Sequence, residues 1–240
     1  IVNHVIKEHH ARRINYVSGP MENPESRQRY EAYKSVLAEN GIDFERERVY
    51  FGEFRSIDGF HAANAIINSK LLFPDAIVCA NDAMALTVII TLEKHGIKIP
   101  DDVIVTGFDN ISAARYFCPE VTSVDRPLKL LGRKACEIIE SVYNGETVSK
   151  THTVFTSPIF SESCGCGSQD SAHQEMRTFK KDTYGKIENC NYHISILNRM
   201  TSALADSESL ENHSRIINSF LSEIKCNNFY MCLGDNWEGC

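Results

Sequence analysis

The stretch Pro74-Asp75-Ala76-Ile77-Val78-Cys79-Ala80-Asn81-Asp82-Ala83-Met84-Ala85 decides the fold class. Five apolar residues follow one another from Ala76 to Ala80, with no polar residue between them. A strand with one wet face would alternate, so this one is expected to be covered on both faces, as strands of a parallel sheet are. Asn81-Asp82 is a pair that caps helices, and Ala83 to His95 then reads as a helix closed by Gly96.

The same grammar extends in both directions. Upstream, Arg13 to Ser18 reads as a strand stopped by Gly19-Pro20. Pro24 to Asn40 reads as a helix with Tyr30, Tyr33, Val36 and Leu37 on one face and Gly41 behind it. Arg48 to Phe51 is a short strand. Ile57 to Lys70 is a helix presenting Phe60, Ala63, Ile66 and Ile67. Downstream, Pro100-Asp101-Asp102 turns into a second buried strand, Val103 to Phe108. Ile1 to His10 reads as a helix already under way. Alternating strands and helices imply a parallel sheet with helices on both faces.

After Asn110 the pattern changes. Thr122 to Asp125 is a short strand, and Pro127 to Tyr143 a strongly amphipathic helix with Leu130, Leu131, Ala135, Ile138, Ile139 and Val142 turned inward. Thr151 to Thr156 and Ile159 to Phe160 read as extended. Cys164-Gly165-Cys166-Gly167-Ser168 breaks the pattern, and the main boundary is placed there. Ala172 to Ala205 reads as one long helix whose Ile187, Cys190, Ile194, Leu197, Thr201 and Leu204 form a heptad seam. Asp206 or Ser207 is expected to cap a second helix carrying Leu210, Ile217, Phe220, Leu221 and Ile224, and Asn228 to Leu233 reads as a strand. Both chain ends read as cut.

The formal net charge of −7 excludes the chain as a whole from binding nucleic acid by electrostatics, and Arg12-Arg13 reads as a solvated strand end. Nine cysteines at irregular spacing, an odd count, argue against a disulfide scaffold and for a reducing compartment. No apolar run approaches the ~20 residues that span a bilayer, and no signal peptide is visible. A nucleophile elbow, phosphate loop, zinc motif or cyclase motif is also not found, so no enzyme is expected. Zinc needs about four ligands. No His or Cys pair at usual spacing accompanies Cys164 and Cys166; His152 and His173 lie nearby in the chain, but nothing ties them to it. Neither metal nor cofactor is expected.

Ligands of open parallel sheets bind beyond the carboxyl ends of the strands. The residues collected there are Ser18, Arg27 and Arg29, then Phe54, then Asn81 and Asp82, then Asp109 and Asn110. A guanidinium, a ring, an amide and a carboxylate suit a neutral polyhydroxylated molecule, whose hydroxyls both donate and accept. Arg29, Phe54, Asn81 and Asp109 are the main candidates, with Ser18, Arg27 and Asp82 secondary. For Asp82 and Asn110, helix capping is an equal reading.

These stretches, with Gly96-Ile97-Lys98-Ile99-Pro100-Asp101-Asp102-Val103, Gly107-Phe108-Asp109-Asn110 and Pro119 to Val124, resemble the effector-binding domain of the lactose/galactose repressor family. The resemblance covers about residues 1 to 163. It implies a periplasmic-binding-protein-like α/β fold: one complete lobe at about 11–118, a partial second lobe from about 1–10 and 119–163, and an α-helical tail. It implies effector contacts by Arg29, Asn81 and Asp109, with Phe54 as the stacking ring. It further implies a cytoplasmic homodimeric regulator that closes on a sugar-like effector, with DNA reached only through a helix-turn-helix absent from this chain. One pocket wall would be whole and the other partial, leaving poor affinity and a strip at Leu128 to Val142 without its packing partner. Ala32 departs from the family's usual Gly, which bears on packing. Ser161 to Cys166 and the helix behind it resemble sensors joined to a GGDEF-type output module; residues 164–206 would be a signalling or linker helix, a helix simply packed on the domain being an equal reading, and 207–240 the start of a further α/β sensor-like module. A solute-binding protein of a sugar transporter is the alternative.

Overall fold

A computed structural model describes residues 1–167, 174–207, 209–221 and 223. The expected helix start at Ala172, the strand at Asn228 to Leu233, His173 and Ile224 lie outside the described residues. The chain divides into two compact units, Ile1–Gly185 and Lys186–Cys240.

In the first unit, four parallel strands lie in the order β2-β1-β3-β4: β1 (Ile14–Ser18), β2 (Val49–Phe51), β3 (Ala76–Cys79) and β4 (Ile104–Thr106). The helices that connect them are α2 (Pro24–Glu39), α3 (Ser56–Ile67) and α4 (Asp82–Lys94), with α1 (Val2–Lys7) leading in. Every residue of β1, β3 and β4 is buried, as two-sided coverage requires. Edge strand β2 buries only Val49 fully. The predicted order and type of these elements hold, with boundaries moved by one to three residues. One face differs: Phe60 stands 41% exposed, while Gly59, Ala62, Ala63 and Ile66 pack inward. Gly59 is required there, because a Cβ would overlap the Met84 backbone where α3 and α4 cross.

Arg13 is not merely solvated. Its side chain pairs with Asp75, whose other oxygen accepts the backbone N–H groups of Arg12 and Arg13 at 2.9 and 2.8 Å, pinning the start of β1 beside β3. Tyr33 of α2 donates its hydroxyl to the Ile14 carbonyl at 2.8 Å and stacks on Tyr16 of β1 at 4.8 Å. The hydroxyl of Tyr16 is buried with no hydrogen-bond partner among the described residues, and burial pushes its pKa well up. An orphaned buried hydroxyl costs stability. Tyr16→Phe is therefore expected to leave the denaturant midpoint unchanged or raise it by up to ~1 kcal/mol of stability; a clear loss would mean the hydroxyl has a partner in solution.

Beyond β4 the chain makes the short helix α5 (Ser112–Arg115), then β5 (Ser123–Asp125), α6 (Leu128–Tyr143) and β6 (Ser157–Ile159), which pairs antiparallel with β5. Single bridges Thr106–Thr122 and Asp109–Asp125 lay β5 alongside the end of β4. The extended run expected at Thr151 to Thr156 is not a strand; β6 begins at Ser157. Ser161, Glu162, Ser163 and Cys164 are all buried, and Ser163 Oγ accepts the Thr122 N–H at 2.8 Å while donating to the Val105 carbonyl. No residue of α6 is buried: Leu128, Leu130, Leu131, Ile139 and Val142 are 38–68% exposed. The face carrying Leu130, Leu131, Ile139 and Val142, expected to turn inward, is therefore exposed.

Helix α7 (Gln174–Ala205) begins within the first unit, where Lys181 pairs with Glu93 and Tyr184 meets Phe117 edge-on at 6.2 Å. In the second unit, α8 (Leu210–Phe220) starts at Ser209, whose hydroxyl accepts the Asn212 N–H at 3.2 Å; Ser209, and neither Asp206 nor Ser207, is the cap. Ile196 and Leu221 are buried, whereas the seam residues Ile187, Ile194 and Leu197 are about half exposed.

Candidate functional site

The carboxyl ends of β1, β3, β4 and β5 share one rim, and the local backbone explains why these side chains meet there. Asn23 accepts the N–H groups of Glu25 and Ser26, starting α2 so that Glu25 and Arg29, one turn apart, face the same way. Arg29 donates to the Ala80 carbonyl at 2.9 Å and to Glu25 at 2.7 Å. Its guanidinium lies over the Phe108 ring at 3.9 Å and stands 5.7 Å from the centroid of Phe54. Burial lowers the Arg29 pKa from its ordinary value, opposed by the carboxylates of Asp109 and Glu25. The opposite charges keep the group ionised in a half-buried place.

Asp109 sits at φ 104, a conformation costly for a residue with a Cβ. It is held by its N–H, which donates to the Val124 carbonyl at 3.0 Å, and by Arg126, which donates to its carboxylate at 3.1 Å. Arg126 also reaches Glu25 at 3.2 Å. Arg29, Glu25, Arg126 and Asp109 thus form one run of alternating charge contributed by α2, the end of β4 and the end of β5. Strain at a position so supported marks functional sites more often than accidental ones.

The other candidates divide. Phe54, at φ 61, lays its ring over Gly19, where a Cβ would overlap it, and stays partly exposed. Asn81 is the N-cap of α4: its Oδ1 accepts the Met84 N–H at 3.0 Å and its Nδ2 donates to the Phe54 carbonyl at 2.8 Å. One hydrogen and one lone pair of that amide remain for another partner. Asp82, the residue for which capping was weighed, is instead fully buried, accepting from Ile111 N–H at 2.8 Å and Ser123 hydroxyl at 2.6 Å. Gly107 is needed beside it, since a Cβ would overlap Asp82 Oδ1. Ser18 is fully buried against Ser26. Arg27 turns outward to the Met21 carbonyl, closing the loop after β1. Asn110 is buried and donates to Asp125 at 2.8 Å. Asp82, Ser18 and Asn110 therefore build the rim from behind, while Arg29, Asp109, Phe54 and Asn81 come together at its front.

Sequence reasoning missed Arg126, Glu25 and Phe108. Applying the strand-end rule to β5 as well would have found Arg126, which directly follows Asp125.

Residues 2–164 match the family described as periplasmic binding protein-like domain. The chain belongs to that family. Within this periplasmic binding protein-like family, the chain is 38% identical over 136 residues to the HTH-type transcriptional repressor PurR of Photobacterium profundum, a match covering 57% of this chain and 40% of that protein. PurR of Haemophilus influenzae is 31% identical over the same share of each. The chain thus spans about two fifths of the length of these relatives. Among solved structures, the Escherichia coli transcriptional repressor ascG superposes with a TM-score of 0.62 at 26% identity, covering 68% of this chain and 58% of that one. A complex of the transcriptional regulator CelR with cellobiose superposes with a TM-score of 0.63 at 28% identity, covering 68% and 49%. All four of these relatives are named as transcriptional repressors or regulators. Among the described residues no helix is long and apolar enough to cross a membrane.

Proposed function

We propose that this domain senses a neutral, hydroxyl-rich small molecule for a cytoplasmic transcriptional regulator of the lactose/galactose repressor type. The observation that carries the reading is the run Arg29–Glu25–Arg126–Asp109 along one rim. Two guanidinium groups balance two carboxylates, so the rim offers charge-assisted donors and acceptors with no net charge, which favours a neutral polar ligand over an ion. Phe54 supplies an apolar plane beside it, and Asn81 its remaining donor and acceptor. The relatives' names, and the cellobiose bound to CelR, support a regulator over the solute-binding protein of a transporter.

Closure of two lobes on the ligand would bias a dimer, with α7 as the dimerising element, since its seam residues Ile187, Ile194 and Leu197 are half exposed. A GGDEF-type output in place of a DNA-binding one rests only on the resemblance of Ser161 to Cys166, and the helix behind it, to such sensors. Ending the chain before Cys164 is expected to turn a dimer into a monomer by mass in solution; an unchanged oligomeric state removes the dimerising role of α7. The functional reading itself is tested by thermal shift of the full-length protein with glucose, galactose, ribose, cellobiose and adenosine. At least one is expected to raise the melting temperature, and no response to neutral polyols alongside a response to a charged metabolite would contradict it.

A further inference from the structure

Away from the rim, four side chains that the sequence leaves unrelated meet at one point. His4 belongs to α1 and His9 to the turn after it, and Cys164 and Cys166 flank Gly165 at the other end of the domain. Their donor atoms all lie within 4.8 Å of one another. His4 Nε2 is 3.1 Å from His9 Nε2, 3.6 Å from Cys164 Sγ and 3.4 Å from Cys166 Sγ; His9 Nε2 is 3.3 Å from Cys166 Sγ. A tetrahedral zinc ion with bonds of ~2.0–2.1 Å to nitrogen and ~2.3 Å to sulfur sets its ligands about 3.3 Å apart for N···N and about 3.6 Å for N···S. The four measured separations match those edges within a few tenths of an ångström.

The backbone is arranged for this convergence. Gly165 takes φ 90, and its N–H donates to the Glu162 carbonyl at 2.9 Å, which folds Cys-Gly-Cys so that both sulfurs face one side. Gly167 admits no Cβ, because one would overlap the Glu162 N–H. Cys164 is buried on a segment fixed into the sheet by Ser161 and Ser163, and His4 is held by stacking on Phe160 at 3.7 Å. Stacking accounts for His4 alone. It does not explain why His9 and both sulfurs aim at the same nitrogen.

We propose that His4, His9, Cys164 and Cys166 form a closed tetrahedral site for a thiophilic divalent cation of the zinc class. The expectation of no metal, drawn from the lack of a nearby partner pair, is thereby reversed: the partners come from the opposite end of the domain. Binding displaces one proton from each thiol and moves no electrons, so two protons leave per metal. The ion fastens α1 to the turn at residues 162–167, across 160 residues of chain between His4 and Cys164. All ligands come from the protein, leaving no open position for catalysis, so the site is structural or metal-sensing. It rests on no part of the effector reading.

Cobalt(II) added to the reduced, metal-free 240-residue chain tests this. The expected result is one cobalt per chain, with the intense visible bands of tetrahedral cobalt and a thiolate charge-transfer band sized for two sulfurs. Loss of an outer partner of a metal ligand costs ~10–100-fold in affinity, and loss of a ligand costs no less. Cys166→Ser and His9→Gln, both outside the core, are each expected to weaken binding at least about tenfold, whereas Cys136→Ser and Cys190→Ser leave it unchanged. Hydrogen exchange at residues 2–9 and 162–167 is expected to slow when zinc is bound. The proposal is overturned by a pale octahedral spectrum, by full-strength bands in Cys166→Ser, or by a Cys164–Cys166 disulfide that forms in preference to the metal complex when both are allowed.

Discussion

Replacing Asp82 by Ala is expected to cost about 2–3 kcal/mol at neutral pH, because two buried donors lose their acceptor at once. The Ile111 N–H and the Ser123 hydroxyl both end on its carboxylate, which is fully buried. The carboxylate is itself strained electrostatically. Burial pushes its pKa up to about 6, although the bonds from Ser123 and Ile111 pull the other way. A folded pKa above the unfolded one means that the fold binds the proton more tightly. The group's stabilising contribution is therefore complete below the ordinary carboxylate range and is lost as pH climbs through 6. A shift of this size amounts to ~3 kcal/mol. Asp82→Ala should hence cost more at pH 5 than at pH 7. Asp82→Asn can still accept the Ile111 N–H and can donate to Ser123, so it should cost ~1 kcal/mol and flatten the slope between pH 4 and 7. Denaturant midpoints read by circular dichroism at pH 5, 6 and 7 decide it; a loss independent of pH would show that Asp82 stays ionised throughout.

Arg29→Ala is expected to abolish the effector response, lowering affinity at least about a hundredfold, since bonds to a charged group are worth ~1.5–3 kcal/mol each and Arg29 forks across the rim. Asp109→Gly separates binding from folding. Glycine adopts φ 104 without the penalty an aspartate carries, and this offsets the loss of the partly buried bond from Arg126. The variant should fold at least as stably as the parent and yet lose the thermal shift. If Asp109→Gly kept the shift, the carboxylate would lie outside the binding site; if it unfolded, the ion pair would be structural.

The parts of this picture that could be read in the sequence are those set by local physics. The unbroken apolar runs at Ala76 to Ala80 and Val103 to Val105 state burial on both faces, and β3 and β4 sit there. The helix over Leu128 to Tyr143 is equally plain, but its apolar face says only that something covers it. Roles at the strand ends are less legible, because an Asn or Asp there can cap, latch or bind. Asn81 caps and keeps some bonding capacity, whereas Asp82 is consumed as a latch. Long-range pairings leave no local trace. Arg126 and Glu25 are 101 residues apart and look like solvated charges until α2 and β5 are brought together. Cys166 and His9, 157 residues apart, form no spacing motif of any kind.

The account turns on Arg29, Arg126 and Asp109 facing one small molecule. Side-chain NMR of the chain labelled with ¹⁵N-arginine, titrated with the polyol that gives the largest thermal shift, reads this directly. The Nε signals of Arg29 and Arg126 should move together and saturate, while that of Arg13, held by Asp75 at the opposite end of β1, stays fixed. Saturable binding that shifts neither Arg29 nor Arg126 would contradict it.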